Sequence, residues 1–539
     1  MAASTRAAGA WTAPVVAGAV VLVILGPAIL WPVAWAAAQI GAGLARDGLG
    51  AADGPGLSPR SLAMTLGVAL LIGALAAALA LPVAWVIGRR GRWVGLLMAP
   101  LLLPSYLVYS AWDLLRAPGS SLGDWLAAGP AWRSVWAGYL MAVGGMALWA
   151  WPIAAIPLAA GVRHLGAGPL EASRLEMRSG VRAGALIISQ LRRPILCAVA
   201  LVTLVALGSA VPLHLAQVPT YAIELWRMLD ETPAAQAWRI WLASWPLVLI
   251  AAAGAALLVA VAHRAEGSHR PLAHEPSAGL GPRLGAWLIW AMATLVPLGL
   301  LIRVTSPAAI GRFLEEMRAP IVSSGLVACG VGGAAALLAG AIAALASGGA
   351  RARAVALGAV AMTGGAALLP GALIGSITLR AWSGAGALAP VADSPLIVIL
   401  AHLMRFGIVA SLAGWWLGRM EPRQLAELRA LEGAGLWGWL RSAAVPMLPG
   451  LLGAGLCCSA LSFHEIEAAV IVAPPALGQS FPGAMLDYLH RTYLERLGAG
   501  AVLLMLAGLG AGGVSATIAS RQFLPRLNRR APDPHNSHG

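Results

Sequence analysis

Lysine is absent from all 539 residues, so the 36 basic side chains are all arginines. A phosphate-cradling P-loop needs Gly-x-x-x-x-Gly-Lys followed by Ser or Thr, and without lysine none exists here. Any ATP that powers this protein must therefore be hydrolysed by another chain. Charge of either sign is scarce, at 11% of residues, against about 25% in an ordinary soluble domain. Phe and Tyr number only 5 and 6, whereas Trp reaches 22. The four cysteines, Cys197, Cys329, Cys457 and Cys458, fall in apolar runs with no Cys-x-x-Cys or Cys/His spacing, which argues against a disulfide framework or a zinc site. No His-Glu-x-x-His stretch or other paired catalytic cluster interrupts those runs. The expectation is of no catalytic residue, no metal ligand and no cofactor bound by this chain.

What is present is hydrophobic residue, 59% of the chain, mostly Ala, Leu, Val and Gly in long runs. Crossing about 30 Å of hydrocarbon takes about 20 apolar residues. Twelve segments meet or approach that length: 15–40, 61–88, 94–112, 135–160, 195–216, 240–262, 284–302, 321–346, 354–377, 396–417, 448–471 and 498–518. The fold class expected is an all-α integral membrane protein. The first run is long and lacks a small-residue cleavage site, so it reads as a retained helix rather than a signal peptide. With both termini placed in the cytoplasm, 23 arginines lie in cytoplasmic connections, 12 lie outside and Arg405 remains within a span. That is the asymmetry of the positive-inside rule. It accounts for the net charge of +14 without calling on nucleic acid as a partner.

The segment around 263–283 is rich in charge, histidine and proline, and reads as a cytoplasmic linker between two membrane halves, 1–262 and 284–520. A polar tail, 521–539, reads as disordered. Landmarks recur across the linker: Ser61 and Ser323, Pro104 and Pro370, and Glu171 and Glu427 stand 262, 266 and 256 residues apart. Near-constant offsets of this kind are the mark of duplication and fusion.

Two cytoplasmic connections, 163–194 and 418–446, are long and polar. In the second, residues 424–432 carry helix formers with apolar residues at helical spacing, and Gly433 and Gly435 stop them. Trp437 and Trp439 then resume an apolar stretch, and Pro446 stands at the return to the membrane. Periodicity alone fits an interfacial helix anchored by its tryptophans as well as it fits a helix that docks a partner. This loop resembles the EAA loop of ABC importer permeases, with Glu427, Gly433 and Pro446 at the family's spacing and Leu428 and Arg429 in place of two alanines. In the first loop Glu171, Ala172 and Ser173 match the opening letters, but Met177 occupies the glycine position. Gly180 comes three residues late there, and Pro194 four.

Residues 99–112, 368–375 and 462–469 also resemble fused permeases of the iron(III) and thiamine type. The resemblance implies two homologous six-helix halves in the type I ABC importer permease fold, with each loop forming a coupling helix. It implies a separate ABC ATPase subunit in two copies, a periplasmic substrate-binding protein, and location in the bacterial inner membrane. The cargo it implies is iron(III), with thiamine or a phosphonate as alternatives. An ion-coupled secondary transporter is the rival from another class, and it should carry several carboxylates at mid-membrane.

A few polar and kinking residues stand out within the expected spans. Pro104 and Pro370 are expected to kink their helices, either in ordinary packing or along a gated path. Arg405 would cost about 2.5–3.5 kcal/mol near the centre of a bilayer, so it needs a partner or water. His402, one turn before it, reads as buried structure. His464, Glu465 and Glu467 share no helical face, so capping or gate packing is expected of Glu465 and its neighbours rather than metal coordination.

Overall fold

A computed structural model describes residues 12–48, 58–89, 99–165, 180–264, 279–432, 436–491 and 493–527. Among them the backbone is helical and contains no strand. Helices are one of the two ways, with closed barrels, in which a chain in lipid can pair every N–H and C=O group without water. Among the described residues, seven helices are long and apolar enough to cross a membrane: Ala13–Asp47, Pro59–Gly88, Ala131–Val162, Leu280–Arg303, Arg318–Ala346, Pro395–Arg419 and Leu436–Phe463. Two bent pairs raise the number to nine, Ala237–Ala243 with Trp245–Leu257 at 50°, and Ala350–Ala367 with Gly371–Ser383 at 108°. The expected segments 94–112, 195–216 and 498–518 are not among these nine. The side chains outside the core agree with a lipid surround: Leu140, Leu196 and Leu326 are 68%, 67% and 70% exposed.

Pro104 and Pro370 do not kink continuous helices. Each adopts an extended backbone (ψ 124° and 140°) and stands immediately before a new helix, Ser105–Asp113 and Gly371–Ser383. Proline disfavours helix at the residue before it and fits the start of the next. The spans expected at 94–112 and 354–377 are therefore broken at the Leu-Pro step. Pro446 acts differently. It has no N–H to offer the preceding turn, and the ladder widens by one residue before it, with Val445 N–H on Leu440 O closing a π-turn over Leu440–Ala444. Trp437 and Trp439 thus belong to the first turn of the 436–463 helix.

The order of elements recurs. Pro59–Arg89, the tip Ser105–Asp113, Ala131–His164, Arg192–Leu207, Val211–Leu215 and Tyr221–Glu231 are followed in the second part by a like series. That series is Arg318–Ala346, the tip Gly371–Ser383, Pro395–Arg419, Val445–Phe463, Glu467–Val472 and Phe481–His490. Packing between the two series is reciprocal. Thr12–Leu25, which precedes the first series, lies against Arg318–Ala346, and Leu280–Arg303, which precedes the second, lies against Pro59–Arg89. Trp245–Arg264 packs on Ala350–Ala367, as Leu494–Leu527 packs on the Ala99–Leu102 turn. The helix Leu494–Leu527 is followed by residues 528–539, which lie outside the described residues.

Small residues allow the closest helix approach. Gly414 and Gly418, one turn apart on Pro395–Arg419, face Ala339 and Ala343 on Arg318–Ala346, and a Cβ at either glycine would run into the carbonyl oxygen opposite. Such spacing lets helices gain dispersion contacts where lipid tails already solvate the leucines. Gly414→Val and Gly418→Val should each cost about 1–3 kcal/mol through overpacking. A lower melting temperature of the detergent-solubilised chain would report it. Gly453→Val, at a position with nothing within 4 Å of its Cβ, should leave that temperature unchanged.

Candidate functional site

The Leu-Pro break at 369–370 leaves the first backbone N–H groups of Gly371–Ser383 without helical partners in the interior. The first of them is met by acid. Gly371 N–H donates to Glu467 Oε2 at 3.0 Å. The same carboxylate takes Ala210 N–H on Oε1 at 2.7 Å and, more weakly, Val211 N–H at 3.4 Å. Those two residues open the short helix Val211–Leu215 in the first series. One buried carboxylate thus bridges the starts of helices from both series.

Glu465 lies beside it and serves a different end. Its oxygens accept from Ala468 N–H at 3.2 and 3.0 Å and from Ala469 N–H at 3.0 Å, closing the start of Glu467–Val472. Arg405 sits between the acids, Nη1 3.1 Å from Glu467 Oε2 and Nε 3.4 Å from Glu465 Oε1. The arginine side chain is 17% exposed, and the two acids are 4% and 5% exposed. His402 completes the group, with Nδ1 2.7 Å from Ser462 Oγ and Nε2 3.5 Å from Glu465 Oε2. One guanidinium faces two carboxylates, and five backbone N–H groups donate to those carboxylates as well. The N-terminal end of the thirteen-residue Gly371–Ser383 helix adds its positive dipole end to the balance. Gly371 is required by this geometry, because a Cβ there would collide with Arg405 Nη1 and the Glu467 side chain.

Beside the network a cleft is lined by Ser323, Val327, Val398, His402, Ser462 and Pro482, among others. Among the described residues, no group of three His, Cys, Asp or Glu side chains has the arrangement to hold a metal ion.

The expected gate residues therefore fall together only in part. Pro370, Arg405 and Glu465 converge at this network. Pro104 marks the corresponding break in the first series, where Trp149 Nε1 donates to Leu103 O at 2.8 Å and, among the described residues, no acid takes up the tip. Glu467 is the member that sequence reasoning undervalued. Its signal was present, an acid two residues after Glu465 with an unpaired Arg405 elsewhere in the chain, but nothing in spacing says that the two would meet.

The second polar loop forms the helix Arg423–Leu431. Glu427 is exposed on it, as are Leu425, Leu428 and Leu431, the last at 84%. Arg429 turns inward. Its guanidinium makes a two-pronged pair with Glu421, which follows the end of the Pro395–Arg419 helix, and reaches Ser442 Oγ at 3.2 Å in the π-turn. The helix is thereby tied to the spans before and after it. Trp437 is exposed, with the Arg441 guanidinium 5.0 Å from its ring centroid, while Trp439 is buried. Gly433 lies outside the described residues, as do Glu171, Ala172 and Ser173 of the first loop. Gly180 begins the helix Gly180–Gln190, and Pro194 lies in the first turn of Arg192–Leu207 against Gly161.

No protein-family model matches the chain, and neither a curated protein nor a solved structure matches it.

Removing one partner from a buried ion pair strands the other. Arg405→Leu should therefore cost about 3–5 kcal/mol, seen as a large fall in the melting temperature of the purified chain. A further loss is expected for Gly371→Ala, which leaves every charge in place and acts by collision alone.

Proposed function

We propose that the chain is the permease subunit of a bacterial ABC importer. In this reading it crosses the inner membrane about twelve times, the nine spans above being joined by 94–112, 195–216 and 498–518. Both termini lie in the cytoplasm. A periplasmic binding protein presents cargo on the outer side, and a separate ATPase, in two copies, acts on the cytoplasmic loops. The two halves then rock from outward- to inward-facing. Iron(III) is the cargo proposed from the sequence resemblance, with thiamine or a phosphonate as the alternatives.

The observation that carries the proposal is the helix Arg423–Leu431. It is braced from behind by Arg429, Glu421 and Ser442, and it presents Leu425, Leu428 and Leu431 outward. A rigidly held helix with an unpartnered apolar edge suits transmission of force from a docked subunit. The missing lysine supplies the complement, because a chain without a P-loop needs an external source of ATP hydrolysis. The recurrence of element order and the reciprocal packing of the two series suit a pair of halves that move against one another.

One observation favours a second reading. Glu465 and Glu467 are both buried beside Arg405, and intramembrane carboxylates are what an ion-coupled secondary transporter employs. Uptake separates the two. Proteoliposomes holding the chain and the ATPase encoded beside it should take up cargo only with ATP and loaded binding protein, and an imposed ion gradient should not replace them. Uptake driven by the gradient alone would sink the importer proposal.

Burial of a leucine side chain is worth about 1.5–3 kcal/mol, so charging the docking edge has a predictable cost. Leu425→Glu with Leu428→Glu should lower ATPase affinity at least about tenfold and abolish binding-protein-stimulated hydrolysis, while the melting temperature of the isolated chain stays the same. Co-purification and ATPase assays measure the two effects.

A further inference from the structure

The two buried acids differ in what they hold. Every polar partner given above for Glu465 belongs to the second series: Ala468 and Ala469 N–H, Arg405 and His402. Glu467 alone of the pair reaches the first series, through Ala210 and Val211 N–H on Oε1, while its Oε2 holds Gly371 N–H and Arg405. The two turns so joined are also in direct approach beside it: a Cβ on Gly208 would lie 3.5 Å from the carbonyl oxygens of both Leu368 and Leu369.

The geometry points to Glu467 as an inter-half latch, a single carboxylate that holds the 208–211 turn against the 368–371 turn and releases Ala210 and Val211 when the halves separate. Release leaves the anion compensated. Arg405 and Gly371 N–H stay with it, both from its own series, so only two backbone N–H groups lose an acceptor. The latch is one-sided. Val211 opens the short helix of the first series as Glu467 opens the one in the second, so an apolar side chain stands in one where the carboxylate stands in the other. Its role in the transport cycle rests on the permease reading, but the joining of the two turns is a property of this chain alone.

Cross-linking of the full chain in membranes, without ATPase, nucleotide or cargo, tests the latch. Cys197, Cys329, Cys457 and Cys458 are replaced by alanine, Gly208→Cys and Leu369→Cys are introduced, and linking by a short bis-methanethiosulfonate is timed. The parent should link rapidly. Glu467→Gln keeps the size of the side chain but sets an NH2 donor against N–H donors, and it should slow linking about tenfold, the cost of one hydrogen bond to a charged acceptor. Glu467→Asp retains the charge for Arg405 and is too short to bridge both turns, so it should also slow linking while preserving a folded chain. Glu465→Gln removes a charge from the same cluster without touching residues 210–211, and linking should stay close to the parent rate. Unchanged linking in both Glu467 variants overturns the latch, as does equal slowing by Glu465→Gln. Failed ATP-dependent uptake would overturn the permease reading and leave the latch standing.

Discussion

A carboxylate withdrawn from water has to find partners for its charge and for its lone pairs, and burial without them costs far more than any single contact returns. Glu465 and Glu467 meet that demand with one guanidinium and five backbone N–H groups, all offered by the starts of helices. The arrangement of the centre follows from this. The chain has to break at Pro370 to present Gly371 N–H, the position has to be glycine so that Arg405 can pass, and the 208–211 turn has to lie close enough for Ala210 to donate. Each requirement fixes a different segment, and together they set how the two series of helices meet.

Around that polar centre the forces are of another kind. Lipid-facing leucines gain nothing from meeting one another, so the helices are held by shape. Gly414 and Gly418 seat against Ala339 and Ala343, and Gly455 lies against the backbone of Gly332. Close seams occur in both series, Gly73 meeting Val199 in the first, and those of the second lie in the helix group that also carries Arg405 and His402. This gives the charge network a firm wall on one side. Among the described residues, the network reaches the first series through the backbone N–H groups of Ala210 and Val211.

The two series share an order of elements and differ in chemistry. At one break a tip is held by charge, through Glu467; at the other, a tryptophan indole holds the carbonyl of Leu103. The second polar loop is braced by a half-buried Arg429–Glu421 pair, with arginine at a position where the EAA-loop resemblance expects alanine. That substitution looked like a departure from the motif when read as letters. In three dimensions it supplies the strut that keeps Arg423–Leu431 in place while its leucines stay free.

The sequence by itself determined the medium and the element type. Long Ala, Leu and Val runs with 11% charge leave a chain no alternative to helices in lipid, and the absent lysine removed the P-loop outright. It also marked Arg405 as a residue in need of a partner, because one buried charge is costly wherever it lies. What it did not carry was the partner's identity or the true form of the spans. Hydropathy is a property of a window, so a span folded back by 108° at Pro370 has the same signal as one that crosses straight. Glu467 is 62 residues from Arg405 and 257 from Ala210. Only tertiary packing brings them within hydrogen-bond distance, since the interaction depends on where helix ends meet in space and leaves no period along the chain.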